Sequence, residues 1–168
     1  MIDFIDFYSF IQEKKDGTLR YFFNTTHKLQ YFVWCVSSSE LEYGNSPNLK
    51  EKGYFIGFDC IGEPSGKDSL IGKTICRILH QIFIDLGNDS MLIFNADDSD
   101  EKHVLRHRLF KIWHNDYGRD ATLLESLIIE QADKTHYLGC IISKSNPKLK
   151  ESVEEFRNLK FELIKPHS

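Results

Sequence analysis

His103 and His107 stand four residues apart, and His114 follows seven residues later. On a helix such a pair can hold zinc if a third ligand is near, and Asp97, Asp98 and Asp100 precede it. The same stretch carries Arg106, Arg108 and Lys111, which repel a cation. No metal site is therefore expected, and the histidines read as part of a solvated basic face. Gly72-Lys73-Thr74 has the ending of a phosphate-binding P-loop. Its first glycine is missing, because Lys67 stands there, and Leu70 and Ile71 occupy the part that must wrap phosphate. That stretch reads as an ordinary amphipathic helix. The carboxylates of Asn95 to Asp100 suit the capping of a following helix. Neither a nucleophile elbow nor a useful Cys–His spacing is present.

Any site must be positioned by the elements that surround these residues. Residues 8–13, 19–25 and 30–36 alternate or concentrate aromatic and β-branched side chains. Lys14-Lys15-Asp16-Gly17 and Thr26-His27-Lys28 separate them, which predicts an antiparallel meander. The polar run from Ser37 to Lys52 reads as an exposed loop. Residues 54–60 form a fourth strand, with Tyr54, Ile56, Phe58 and Cys60 on one face. Ile71, Ile75, Ile78, Ile82 and Leu86 then recur with helical spacing, with Asp68 or Ser69 as cap and Gly87 as stop. Residues 91–95 are a short buried strand. A second helix from near Ser99 is expected to bury Leu105, Leu109, Ile112 and Trp113. Residues 123–131 and 136–143 read as a hairpin, and Asn146-Pro147 opens a last helix with Leu149, Val153 and Phe156 as its stripe.

The expected fold is a single α/β domain over residues 1–168. A central, mostly antiparallel sheet of about seven strands carries helices on both faces, in the order βββ-β-α-β-α-ββ-α. A chain of 168 residues with 41% hydrophobic and 27% charged residues can bury a core without staples. The net charge of −4 argues against general affinity for a nucleic-acid backbone. No apolar run is long enough for a membrane span. The start of the chain, with Asp3 and Asp6 and no basic residue, does not resemble a secretory signal. Cys35, Cys60, Cys76 and Cys140 lie among apolar residues with no Cys-x-x-Cys pair, as buried thiols of a reducing compartment do. The expected location is cytoplasmic.

The order of a three-strand meander, then strand–helix–strand–helix–hairpin, over residues 8 to 143 resembles the GNAT superfamily of N-acyltransferases. In that family a Gln/Arg-x-x-Gly-x-Gly/Ala loop opens the helix after the central strand and holds the pyrophosphate of acetyl-CoA on backbone amides. The matching residues here are Lys67-Asp68-Ser69-Leu70-Ile71-Gly72. The resemblance implies cofactor contacts from Lys67, Ser69, Gly72 and Lys73. It departs from the family at Leu70, where the first glycine belongs, and at Asp68, which adds negative charge. A tyrosine of the next helix often protonates the leaving thiolate, and Phe110 stands in the corresponding stretch. Asp59, late in the fourth strand, is the candidate to orient a substrate amine or act as base; the alternative is a solvated strand-end carboxylate. The spacing of Arg106, Phe110 and Trp113 is also similar to that in small uncharacterised bacterial proteins.

Two functions follow. The favoured one is a non-catalytic binding protein on a GNAT-like scaffold, with another protein as partner and no cofactor. The alternative is a divergent N-acyltransferase that uses acetyl-CoA. A parting of the strand ending at Asp59 from the strand ending at Asn95 would favour the alternative.

Overall fold

The first turn shows how locally this chain specifies itself. Asp16 and Gly17 both have positive φ, 51° and 77°. They form the two-residue connection whose twist matches that of the strands it joins. Those strands are β1 (Phe10–Lys15) and β2 (Thr18–Asn24), followed by β3 (Gln30–Ser37). The computed structural model describes residues 6–41, 46–63, 66–96 and 103–164. After a 3-10 turn at Ser38–Leu41 come α1 (Pro47–Lys52), β4 (Gly53–Ile61), α2 (Ser69–Leu86) and β5 (Met91–Ala96). Then follow α3 (His103–Trp113), a π-turn (His114–Gly118), β6 (Thr122–Gln131), β7 (Lys134–Ser143) and α4 (Leu149–Ile164).

The seven strands form one sheet in the order β1-β2-β3-β4-β5-β7-β6. Every neighbouring pair is antiparallel except β4–β5. That pair is joined by α2, and a helical crossover is what a parallel connection requires. Period-two alternation sends side chains to two layers. Tyr21, Phe23, Val33, Ile56, Leu92 and Phe94 pack with Ile75, Ile78 and Ile82 of α2 and Phe110 of α3. Phe55, Met91, Ile93, Cys140 and Ile142 pack on the other side with Leu49 of α1 and Phe156 and Leu159 of α4. The fold is thus the expected mixed α/β sheet of seven strands with helices on both faces. Among the described residues no helix is long and apolar enough to cross a membrane.

The isoleucine stripe of α2 is the expected one, and both of its ends are built as the sequence suggests. The Asp68 side chain accepts from the Leu70 amide, and Gly87 at φ 102° donates its amide to the Phe83 carbonyl. Asn146 accepts from the Lys148 amide at 2.8 Å, so the cap of α4 is also as expected.

Two expectations fail. The polar segment from Ser37 to Lys52 is not all loop: Pro47 starts α1, whose Leu49 is fully buried and whose Lys52 is followed directly by β4. The short helix escapes notice because it carries a single core residue among polar ones. The buried face of α3 is also turned part of the way from the expected one: Leu109 and Trp113 pack against the core as expected, but the rest of the stripe does not. Leu105 and Ile112 are exposed, while Phe110 and His107 are buried. Counting apolar residues placed half of the stripe wrongly because aromatic partners on β4 and β5 select the face. The carboxylates Asp97, Asp98 and Asp100 lie outside the described residues.

Ile78 has no exposed surface and sits mid-stripe on α2. Ile78→Ala should lower unfolding free energy by about 2–5 kcal/mol in denaturant titrations, through lost transfer energy and a residual cavity. A cost below about 1 kcal/mol would mean that α2 is not the central buried helix.

Candidate functional site

β4 and β5 run side by side for only three residue pairs, Gly53–Met91, Tyr54–Leu92 and Phe55–Ile93. β4 continues to Ile61 bonded to β3 alone, and β5 continues to Ala96 bonded to β7 alone. From Ile56 and Phe94 onward the two strands therefore part. Backbone polar groups on the facing edges have no strand partner among the described residues, and such groups demand satisfaction. A cleft of about 100 Å³ opens there, bordered by Trp34, Gly57, Asp59, Asn95, Arg106 and His107.

The helical side of the gap is filled by rings. Phe110 lies on Phe94 at 4.3 Å between centroids, nearly parallel, and meets Phe58 edge-on at 5.3 Å. Trp113 packs on Phe58 at 5.3 Å. His107 takes the next turn of α3, between Phe94 at 5.5 Å and Tyr137 at 5.6 Å. It is 7% exposed, and its Nδ1 is buried with no hydrogen-bond partner among the described residues. Burial, reinforced by Lys111, holds its pKa below the ordinary histidine value. A solvated basic face is thus wrong for His107. A single polar residue on an otherwise aromatic face gave no sequence signal that it would be buried.

At the mouth of the cleft, Arg106 donates to the Asp59 carboxylate at 3.4 Å. About half of the Asp59 side chain is exposed. Trp34 also borders a second, open aromatic surface. Trp34 lies across Gly57, where a side chain would collide with its indole, and borders a wide depression with Arg20, Phe22, Phe32, Val36 and Ile61. α4 packs on β6 and β7 and leaves this half of the sheet uncovered among the described residues.

The remaining candidates, Lys67, Ser69, Gly72 and Lys73, lie at the start of α2, after the parted end of β4. Lys67 and Ser69 are exposed, Lys73 is half-buried and Gly72 is buried. The helix end is already engaged. Asp68 accepts from the Leu70 amide at 3.0 Å and from the Tyr8 hydroxyl at 2.6 Å. The Tyr8 amide in turn donates to Thr74 Oγ1, which donates to the Leu70 carbonyl. An anion at this end would face the Asp68 carboxylate directly. Gly72 does not approach a loop at all; a Cβ there would strike the Trp113 indole. Its smallness lets α3 pack closely on α2. Among the described residues no group of three His, Cys, Asp or Glu side chains is placed to hold a metal ion.

The site thus belongs to a mixed α/β protein whose central parallel strands part over an aromatic wedge. Residues 67–158 match the model of a family of unknown function, DUF6169. The match spans more than half of the chain, which therefore belongs to that family. It takes in α2, α3 and the Arg106–His107–Phe110 side of the cleft, but not Asp59 or the meander. No curated protein matches the chain.

The Gly72–Trp113 contact can be tested by a double-mutant cycle. Alanine favours a helix over glycine by about 1 kcal/mol. Gly72→Ala should nonetheless destabilise by about 1–3 kcal/mol through overpacking. In a Trp113→Ala background the same change should become neutral or stabilising. Equal effects in both backgrounds would show that the indole does not rest on Gly72.

Proposed function

We propose that the protein is a binding protein on a GNAT-like scaffold, which receives an extended segment of another polypeptide in the cleft between β4 and β5 and transfers no acyl group. The open aromatic surface beside the cleft carries this reading: Phe22, Phe32 and Trp34 border a wide depression that α4 leaves uncovered among the described residues. The parting of β4 from β5 after Phe55 and Ile93 is, by the criterion drawn from the sequence, the outcome that favours the alternative, but it also offers the binding protein a place for its partner between the two strands. An extended chain laid between them would satisfy backbone groups on both edges, as strand addition does elsewhere. The adjoining Phe32 and Trp34 would anchor alternate side chains, since partly exposed aromatics are the usual source of contact energy. Asp59 and Arg106 at the mouth add one charge of each sign.

Three features speak against acyl transfer. The start of α2 holds a carboxylate where a pyrophosphate would sit. Phe110, in the stretch where the GNAT family often has its tyrosine acid, is buried in the ring cluster. Asp59 is paired with Arg106 at the mouth of the cleft. The alternative, a divergent acyl-CoA-dependent N-acyltransferase, is the reading that the parting of the two strands was expected to favour. The amide-bearing arm of acetyl-CoA is itself an extended chain that the same parted strands would accept.

Selection of a random peptide display library on the whole protein separates the two. Peptides should be enriched that bind the native chain and lose at least about tenfold in affinity, 1.4 kcal/mol, to Trp34→Ala. Millimolar acetyl-CoA should shift the melting temperature by less than about 1 °C. A rise of several degrees, abolished by reversing Lys67 and Lys73 to glutamate, would overturn the proposal. Loss of acyl transfer in Asp59→Asn, with cofactor binding kept, would then establish the alternative.

A further inference from the structure

A second concavity lies away from the cleft, between α2, the end of α3, the π-turn and the start of β6. It measures about 240 Å³. Its floor is Ile75, Leu79, Phe83, Phe110, Trp113 and Ile141, and its rim carries His80, His114, Tyr117 and Asp120. A dry cavity of about 150 Å³ accommodates benzene, so this one has room for two fused rings. An apolar, ring-lined hollow with a few polar groups gathered at one side is the usual form of a small-molecule site.

The polar wall is fixed in advance. The Arg119 amide donates to the His114 carbonyl at 2.9 Å and closes the π-turn, a distortion often found at functional sites. The Cys76 thiol donates to the Trp113 carbonyl at 3.7 Å. Thr122 Oγ1 donates to the Gly118 carbonyl at 2.9 Å, and His114 Nε2 lies 3.0 Å from that oxygen and 3.1 Å from the Thr122 carbonyl. The hydroxyl proton is spent on Gly118 and a carbonyl only accepts. His114 Nε2 must therefore carry the ring proton, which leaves Nδ1 as an acceptor. Asp120 supplies a second acceptor at the rim. Among the described residues no lysine or arginine lines the cavity. Arg77 and Lys144 lie near enough to act on His80 and His114 without bordering it.

We infer that this cavity is a binding site for a neutral, planar aromatic molecule of one or two rings that carries a hydrogen-bond donor. Flat ring walls select a planar solute, since aromatic faces gain most from offset or edge contacts with another ring. The acceptors at the rim select a donor. A carboxylate on the ligand would meet Asp120 with no cation on the wall to offset it, so an anion of the same shape is rejected. The inference is independent of the cleft, because the residues that carry it lie outside the cleft lining; Phe110 alone touches both hollows, as a wall in each.

Indole is the probe and indole-3-propionate its anionic counterpart. Indole at about 100 times its Kd should raise the melting temperature of the whole chain by about 5 °C or more. It should also move the methyl resonances of Ile75, Leu79 and Ile141 in NMR titrations. Indole-3-propionate should bind at least about tenfold more weakly. Ala121 lines the mouth and is itself exposed, so Ala121→Phe should fold normally and abolish the response. Asp120→Asn, also at an exposed position, should narrow the gap between the two probes. No response to indole, a response unchanged by Ala121→Phe, or equal binding of the anion would overturn the inference.

Discussion

Phe94 lies flat against Phe110, and it does so where β7 offers Gly139 instead of a side chain. Any Cβ at Gly139 would occupy the space of the Phe94 ring. This packing sits just past the last β4–β5 pair, so the ring cluster of Phe58, Phe94, Phe110 and Trp113 holds α3 over strands that have ceased to bond. Aromatic pairs in such offset and edge-on arrangements add about 0.5–1.5 kcal/mol each beyond their area burial. The wedge thus stabilises an opening that backbone hydrogen bonding alone would close. It also explains the two glycines that admit it: Gly139 under Phe94 and Gly72 under Trp113.

The same wedge fixes what the neighbouring groups can do. It turns His107 inward, where burial lowers its pKa from the ordinary histidine value and leaves Nδ1 unpaired among the described residues. It leaves Arg106 one residue away, directed at Asp59. On the other side of the sheet, Trp34 covers Gly57 and ties the cleft to the open face of the meander. The start of α2 is engaged differently. Tyr8, Asp68, Leu70 and Thr74 satisfy one another there, so the dipole end that would attract an anion is met from within the chain.

Much of the scaffold was legible because its signals are local. The Asp16-Gly17 turn, the α2 stripe with its Asp68 cap and Gly87 stop, and the Asn146 cap each depend on residues within a few positions of one another. The order of elements along the chain and the mostly antiparallel sheet followed from those signals. The site was less legible because it depends on contacts distant in sequence. The buried face of α3 was chosen by Phe58 and Phe94, about 50 and 16 residues upstream of Phe110, and not by the helix's own Leu105 and Ile112. Gly72 carried the appearance of a phosphate loop, and only Trp113, 41 residues on, shows that the glycine makes room for an indole. The parting of β4 from β5 has no one-residue signature at all.

Residue-resolved amide hydrogen exchange along β4 tests that parting most directly. Strand amides bonded to a neighbour exchange slowly, and unbonded ones at an open edge exchange fast. Protection should be continuous from Gly53 to Phe55 and then alternate from Ile56 to Ile61, with β3-facing amides slow and β5-facing amides fast. Phe94 to Ala96 of β5 should show the same alternation against β7. Uniform slow exchange to the ends of both strands would mean that they remain paired, and would contradict the account of the cleft.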